Sequence, residues 1–222
     1  MQLQRGVNGD GVRSKGETSK LYQRVEELDT ALKEALRSVA EKDAKIASLE
    51  KKVNYDSMTG LHSRLYFEER FAEEVNRAIR EKKDILLIFA DLNGLKAAND
   101  SMGHEAGDKL ITDAANAIKR AADNVRASLR EYDVVSARMG GDEFIIMMPG
   151  AGKSYKDAIV RRINSLCENA GVSVALGAAN LSEVVQYGSI RSSTLVAKAS
   201  KELKSLADER MYKDKVAKKG SK

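Results

Sequence analysis

The stretch SARMGGDEFIIMM, Ser136 to Met148, sets two adjacent glycines and then two adjacent acids, Asp142 and Glu143, against an apolar run. With DVVSARM in front of the glycines and DEFIIMM behind them, residues 133–148 predict two strands joined by a two-residue turn at Gly140-Gly141. Like charges held close repel unless they are protonated or bridged by cations. The turn therefore asks for something that answers its carboxylates.

Working outward, DILLIFAD (residues 84–91) predicts a buried strand that ends on a third acid, Asp91. Helical patterns cover about 63–80, 105–122, 154–170 and 195–218, and GVSVALGAA (residues 171–179) predicts a further strand. The order α-β-α-β-β-α-β-α predicts an α/β (α+β) fold with a mixed central sheet flanked by helices, of ferredoxin-like or palm type. If Asp91 and the hairpin are neighbours in that sheet, three carboxylates meet at one edge. Hard oxygen donors suit Mg2+, which binds through one or two carboxylates plus substrate phosphates. A pair of such ions can clamp both oxygens of a phosphoryl transfer. Glycines beside them let a nucleotide approach the backbone.

The segment DLNGLKAANDSMGHEAGD, read as a loop, supplies Asn93-Gly94 as a turn with amides for phosphate, and Lys96 as a cation. Asn99 and Asp108 match a guanine edge by donor and acceptor type, and each also suits a helix cap or turn. PGAGKSYKDAI imitates a phosphate-binding P-loop but has Met147 where that pattern needs its first glycine, so it predicts a plain connection.

Ahead of the domain, residues 21–53 carry a heptad repeat. With Leu21 at d, the a positions are Val25, Leu32, Val39, Ile46 and Val53, which favours a parallel two-stranded coil, and Lys42 interrupts the d series. Residues 1–20 are polar and glycine-containing and read as a disordered lead-in or linker, and 54–222 read as one folded domain. The single cysteine, Cys167, excludes an internal disulfide, and with only His62 and His104 beside it a zinc site is not expected. The longest apolar run, ILLIFA, is far shorter than a membrane span, and the N-terminus lacks the apolar core of a signal peptide, so a soluble, cytoplasmic chain is expected. The net charge of +5 gathers in the C-terminal KDKVAKKGSK, suited to nucleotide phosphates; without tryptophan and at 5% aromatic content the chain is not expected to bind nucleic acid by stacking.

DSMTGLHSR, FADLNGLKAANDSMGHEAGD, ARMGGDEF, GVSVALGAA and LADERMYKDKVAKK, in this order and spacing over about residues 54–220, resemble the GGDEF family, the diguanylate cyclases. The resemblance implies condensation of two GTP into cyclic di-GMP and pyrophosphate between two facing domains. It implies two Mg2+ ions per active site, with Mn2+ as a substitute, held by Asp91, the Leu92 carbonyl, Asp142 and Glu143. Asp142 matches the proton acceptor for the 3′-hydroxyl, and Glu143 assists. Asn99 and Asp108 match guanine contacts, with His104 in the same substrate loop, and Gly140 and Gly141 match the glycines that admit the nucleotide. Lys96, Lys215 and Lys219 match phosphate-binding cations. Lys218-Lys219 stands where many members have Gly-Arg, which removes bidentate phosphate recognition. The family's Arg-x-x-Asp inhibitory motif matches Arg130 and Asp133, but six residues rather than five separate it from the glycines, which predicts weak product inhibition or a bulge.

Under this resemblance the coil implies a homodimer whose register an upstream signalling partner could shift. The alternatives are a non-catalytic GGDEF-type receptor or scaffold for GTP or cyclic di-GMP, disfavoured by the intact acids and glycines, and a cyclase of mixed base choice, disfavoured by Asp108. A purely structural coiled coil has no use for these acids.

Overall fold

The computed structural model describes residues 10–128, 133–185 and 193–220. Its strands are β1 (Ile85–Leu92), β2 (Val135–Gly140), β3 (Glu143–Pro149) and β4 (Val174–Asn180). Its helices are α1 (Asp10–Asn54), α2 (Arg64–Glu81), α3 (Leu95–Met102), α4 (His104–Ser128), α5 (Lys153–Asn169) and α6 (Ser193–Gly220), with a 3₁₀ turn at Leu181–Glu183. The strands form one sheet in the order β2-β3-β1-β4.

The apolar run of β1 follows from cover on both faces. Successive side chains of a strand point to opposite sides. Leu86, Ile88, Ala90 and Leu92 join a buried cluster with α4 and α5, through Ile111, Ile118, Ile159 and Ile163. Ile85 and Leu87 join a second cluster with α2 and α6, through Phe67, Phe71, Leu203 and Ala207. β1 pairs antiparallel with β3 and with β4, and β2 pairs antiparallel with β3. The expected mixed sheet is therefore antiparallel in all these ladders; among the described residues a parallel element enters only as an isolated bridge from His62 to Ala137.

Each outer strand has its open edge occupied, as soluble sheets require. Along β2, the His62 amide donates to the Ser136 carbonyl at 3.0 Å and the Arg138 amide to the His62 carbonyl at 3.0 Å. Along β4, side chains of α6 take that role. Asp214 Oδ2 accepts from the Leu176 amide at 2.8 Å, Lys218 Nζ donates to the Val174 carbonyl at 2.8 Å, and Arg210 Nη1 donates to the Ala178 carbonyl at 2.7 Å. Gly177 makes the approach of α6 feasible, since a Cβ there would run into the Ala207 carbonyl and the backbone of Met211.

Three local expectations are corrected. Residues after Asp91 are not a loop: Leu95–Met102 is α3, bounded by Gly94 and Gly103, both at positive φ. Its apolar positions are too few to announce a helix. The hairpin turn lies at Gly141-Asp142, one residue later than expected, because the β2–β3 register shifts between Arg138 and Gly140 and Gly140 then pairs with Glu143. Helix α1 starts at Asp10, so residues 10–20 continue the helix instead of being disordered; extending a helix costs far less than nucleating one, which absorbs the roughly 1 kcal/mol penalty of Gly16. α1 itself carries exposed apolar residues at its heptad positions, from Leu21 at 66% to Leu49 at 48%. No helix among the described residues is long and apolar enough to cross a membrane.

Candidate active site

Asp91, the penultimate residue of β1, points to the α6 side of the sheet and is 4% exposed. In register it faces Glu143 on β3 and Ala175 on β4. The Leu92 amide donates to the Asp142 carbonyl at 3.0 Å, which fixes the hairpin turn against the end of β1. Asp91, Asp142 and Glu143 thus meet at one end of the sheet, as the sequence suggested. Asp91 is buried, Asp142 half-buried and Glu143 exposed.

Lys215 answers the buried charge. Along α6, Leu203, Ala207 and Met211 lie buried against the sheet at intervals of four, and the next step on that stripe is Lys215. Its Nζ is 2.6 Å from Asp91 Oδ1 and 2.7 Å from Oδ2. The hydrogen bond to Asp91 raises the Lys215 pKa above the ordinary lysine value. Burial opposes this, and the charges of Asp91, Asp142 and Glu143 reinforce it. Lys215 is a cation throughout the physiological range.

A cleft of about 480 Å3 opens beside this cluster. Leu92, Asn93, Gly94, Lys96, Asp142, Lys215, Lys218 and Lys219 are among its walls. Lys218 is engaged with the Val174 carbonyl and with Asp214 Oδ2, each at 2.8 Å, whereas Lys219 is exposed. Asn93 is clasped to the start of β4, its amide donating to the Ser173 carbonyl at 2.8 Å and its Nδ2 to Ser173 Oγ at 3.1 Å.

Asn99, His104 and Asp108 do not line this cleft. They sit on the α3–α4 pair, where Asn99 Oδ1 lies so close to Gly107 that a Cβ there would collide with it. Asp108 is inside α4 and exposed, not at its cap. Gly140 and Gly141 have φ of 142° and 53°, with open space where a Cβ would stand. Backbone conformation, not crowding, requires glycine there. Asp133 is exposed just ahead of β2, and Arg130 lies outside the described residues.

Among the described residues no three His, Cys, Asp or Glu side chains form a ready-made metal cage. Mg2+ does not need one, since substrate phosphates complete its shell. Asp91 Oδ1 is buried and has no hydrogen-bond donor aligned to it. The Leu92 carbonyl, Asp142 and Glu143 add hard oxygens, so the donor set fits the ion. Cys167 adds nothing, because burial pushes its thiol up to about 11.

Sequence reasoning missed Arg138, Ser173 and Gly177, and took Asp56 for a turn residue, which it is, without its pairing to Arg138. A glycine inside a strand pattern marks close approach of another backbone, so Gly177 had a signal. Arg138 and Asp56 meet across 82 residues, which no local pattern reports.

The family model described as "Diguanylate cyclase, GGDEF domain" matches residues 53–221. The diguanylate cyclase DgcS of Shewanella oneidensis is 34% identical over 137 residues, covering 60% of this chain and 44% of that protein. MucR of Pseudomonas aeruginosa, a bifunctional diguanylate cyclase/cyclic di-GMP phosphodiesterase, is 32% identical over 114 residues, covering 50% of this chain and 16% of that protein. The chain thus spans less than half the length of either relative. The crystal structure of the coiled coil and GGDEF domain of DgcB from Caulobacter crescentus, in complex with c-di-GMP, superposes with a TM-score of 0.71 at 20% identity, covering 86% of this chain and 95% of that one. That likeness is one of fold.

Proposed function

We propose a function from the premise that this chain belongs to the GGDEF-domain family of diguanylate cyclases: it condenses two GTP into cyclic di-GMP, releasing two pyrophosphates. The observation that carries this is the gathering of Asp91, Asp142 and Glu143 around Lys215 at the mouth of a cleft rimmed by Lys96 and Lys219. Each 3′-hydroxyl forms a bond to the α-phosphorus of the other nucleotide as the bond to pyrophosphate breaks. Asp142, on the turn, is the group assigned to take the hydroxyl proton. Lys215, Lys96 and Lys219 hold the phosphate chain, and the α3–α4 pair carrying Asn99, His104 and Asp108 selects guanine. Asp91, the Leu92 carbonyl, Asp142 and Glu143 would hold Mg2+, or Mn2+ in its place, two ions per site, which when bound neutralise phosphate charge in the transition state.

One domain supplies half of such a reaction, so two copies must face each other. The exposed heptad stripe of α1 supports a parallel coil between two chains as the means. Removing residues 1–50 should convert a dimer to a monomer by light scattering and lower activity at low protein concentration. Residues 51–222 form a compact unit of their own.

The test of the reaction is product analysis. The full chain is incubated with GTP and MgCl2, with and without ATP, and products are separated by mass. Cyclic di-GMP and pyrophosphate from GTP alone are expected. A mixed guanine–adenine product would overturn the base assignment. No product, with GTP or cyclic di-GMP still bound, would replace the enzyme by a receptor.

A further inference from the structure

The Gly140–Asp142 turn has little packing of its own. Nothing lies within 4 Å of where side chains would stand at Gly140 and Gly141, and both residues are exposed. Yet Asp142 must be held in place for the reaction proposed above. Two groups hold the turn. The Leu92 amide takes the Asp142 carbonyl at 3.0 Å. Arg138 takes the Gly141 carbonyl with two donors, Nε at 3.1 Å and Nη2 at 2.8 Å.

The same guanidinium reaches away from the site. Its Nη1 lies 3.4 Å from both carboxylate oxygens of Asp56 and 3.3 Å from Met58 Sδ. The Arg138 side chain is 12% exposed and does not line the cleft, so it acts through Gly141. Asp56 stands two residues beyond the end of α1, inside a closed turn. Its Oδ1 accepts from the Thr59 amide at 2.8 Å and hydroxyl at 2.6 Å, and its own amide donates to the Leu61 carbonyl at 2.8 Å. Burial works to raise the Asp56 pKa, but Thr59 and Arg138 outweigh it and hold the carboxyl below its usual range. Tyr55, His62 and Tyr66 stack across the base of this turn, with ring centroids 4.7 and 3.9 Å apart in succession.

We propose that Arg138 is a positioning residue that holds the glycine turn, and hence Asp142, and that its pairing with Asp56 makes that hold depend on the segment leaving α1. A planar guanidinium with donors on three nitrogens is suited to this; an ammonium cannot span both partners at once. A shift of the entering chain that draws Asp56 away leaves Arg138 bound at one end only, and the turn loosens. The effect on turnover rests on the cyclase reaction proposed above; the holding of the turn does not.

The test uses the full chain and the variants Arg138→Met, Arg138→Lys and Asp56→Asn. Hydrogen–deuterium exchange of the segment 139–144 should rise by about tenfold in Arg138→Met and by less in Asp56→Asn, with β1 unchanged. Steady-state kinetics should show kcat falling by roughly 10- to 100-fold in Arg138→Met, with KM for GTP moving by less than about threefold, and partial rescue in Arg138→Lys. Exchange unchanged at 139–144 in both Arg138→Met and Asp56→Asn would overturn the proposal, as would a rise spread evenly over the domain. A change in KM at constant kcat would remove the positioning role. If the unmodified chain makes no cyclic di-GMP, the cyclase reading fails, and the exchange data still decide whether Arg138 and Asp56 hold the turn.

Discussion

An aspartate stands at each end of β1, and the two are treated differently. Asp84, just ahead of the strand, has both oxygens fully engaged. Oδ1 accepts from the Ile85 and Ser182 amides, each at 2.9 Å, and Oδ2 from Ser182 Oγ at 2.7 Å and Asn180 Nδ2 at 3.2 Å. Beside it Glu183 receives Arg210 through both oxygens, at 3.0 and 2.7 Å, together with Lys156 and the Asn180 amide. At the other end Asp91 has one cation, Lys215, and a buried oxygen without an aligned donor. The first arrangement engages both oxygens of Asp84 and of Glu183 and locks the 3₁₀ turn to the sheet. The second relies on a single cation within 2.7 Å of both oxygens, next to a cleft. Charge density does not separate the two clusters, and each leaves one buried oxygen without a hydrogen bond, Asn180 Oδ1 in the first and Asp91 Oδ1 in the second; what sets the second apart is the cleft that opens beside it.

Substitutions at the two ends should therefore fail in different ways. Asp91→Asn should reduce cyclic di-GMP formation by about a thousandfold or more, with the thermal midpoint within a few degrees of the parent; scanning calorimetry beside product analysis checks both. Glu183→Gln at the opposite end should do the reverse. It should lower stability by about 2–3 kcal/mol in urea titrations, since it strips charge from a part-buried pair, while turnover per folded molecule stays near that of the parent. If Glu183→Gln abolished turnover in folded protein, the two ends would not be independent.

The same contrast extends to pH. Glu183 is held at about 2, first by the Arg210 hydrogen bond, against an ordinary value of 4.5. A carboxyl depressed in the folded state contributes stability that is complete above its unfolded pKa and lost as pH falls through the folded one. The urea midpoint should accordingly fall between about pH 4.5 and 2, and Glu183→Gln should flatten that part of the curve. Gly177→Ala comes next in size, at about 1–3 kcal/mol from overpacking between β4 and α6. Unlike Glu183→Gln it should also lower turnover, because α6 carries Lys215; parallel melting curves and kinetics would show whether the two losses travel together. The smallest effect belongs to Lys219→Ala. This exposed cation with flexible reach should change KM for GTP by less than about threefold.

Much of this arrangement was legible in the sequence, and the part that was not has a physical reason. The unbroken apolar run of β1 announced a buried strand, and the meeting of Asp91, Asp142 and Glu143 followed on one condition, that β1 and the hairpin are neighbours, which the strand order β2-β3-β1-β4 meets. Lys215 was named only through the resemblance, as a phosphate-binding cation; its place on the buried stripe of α6 and its pairing with Asp91 come from the structure. What escaped depended on distance in the chain. The Arg138–Asp56 pair, the Asn93–Ser173 clasp and the α6 side chains along β4 all join residues far apart in number, and none has a periodic signature. The slip of the hairpin turn by one residue escaped for another reason: the glycine pair suits both placements, and the choice is made by the register shift after Arg138.

The stripe of α6 from Leu203 through Ala207 and Met211 to Lys215 also sets how much change of length the chain can absorb. Gly177 seats the helix against β4 at Ala207 and Met211, and Lys215 lies one turn further on. One residue inserted between Met211 and Lys215 would carry the lysine about 100° around the helix and about 1.5 Å along it, away from Asp91, with every side chain of the site still present. Surface loops away from the cleft tolerate changes of length. This one turn of helix does not, and its residue count is as much a part of the candidate site as the identity of the lysine.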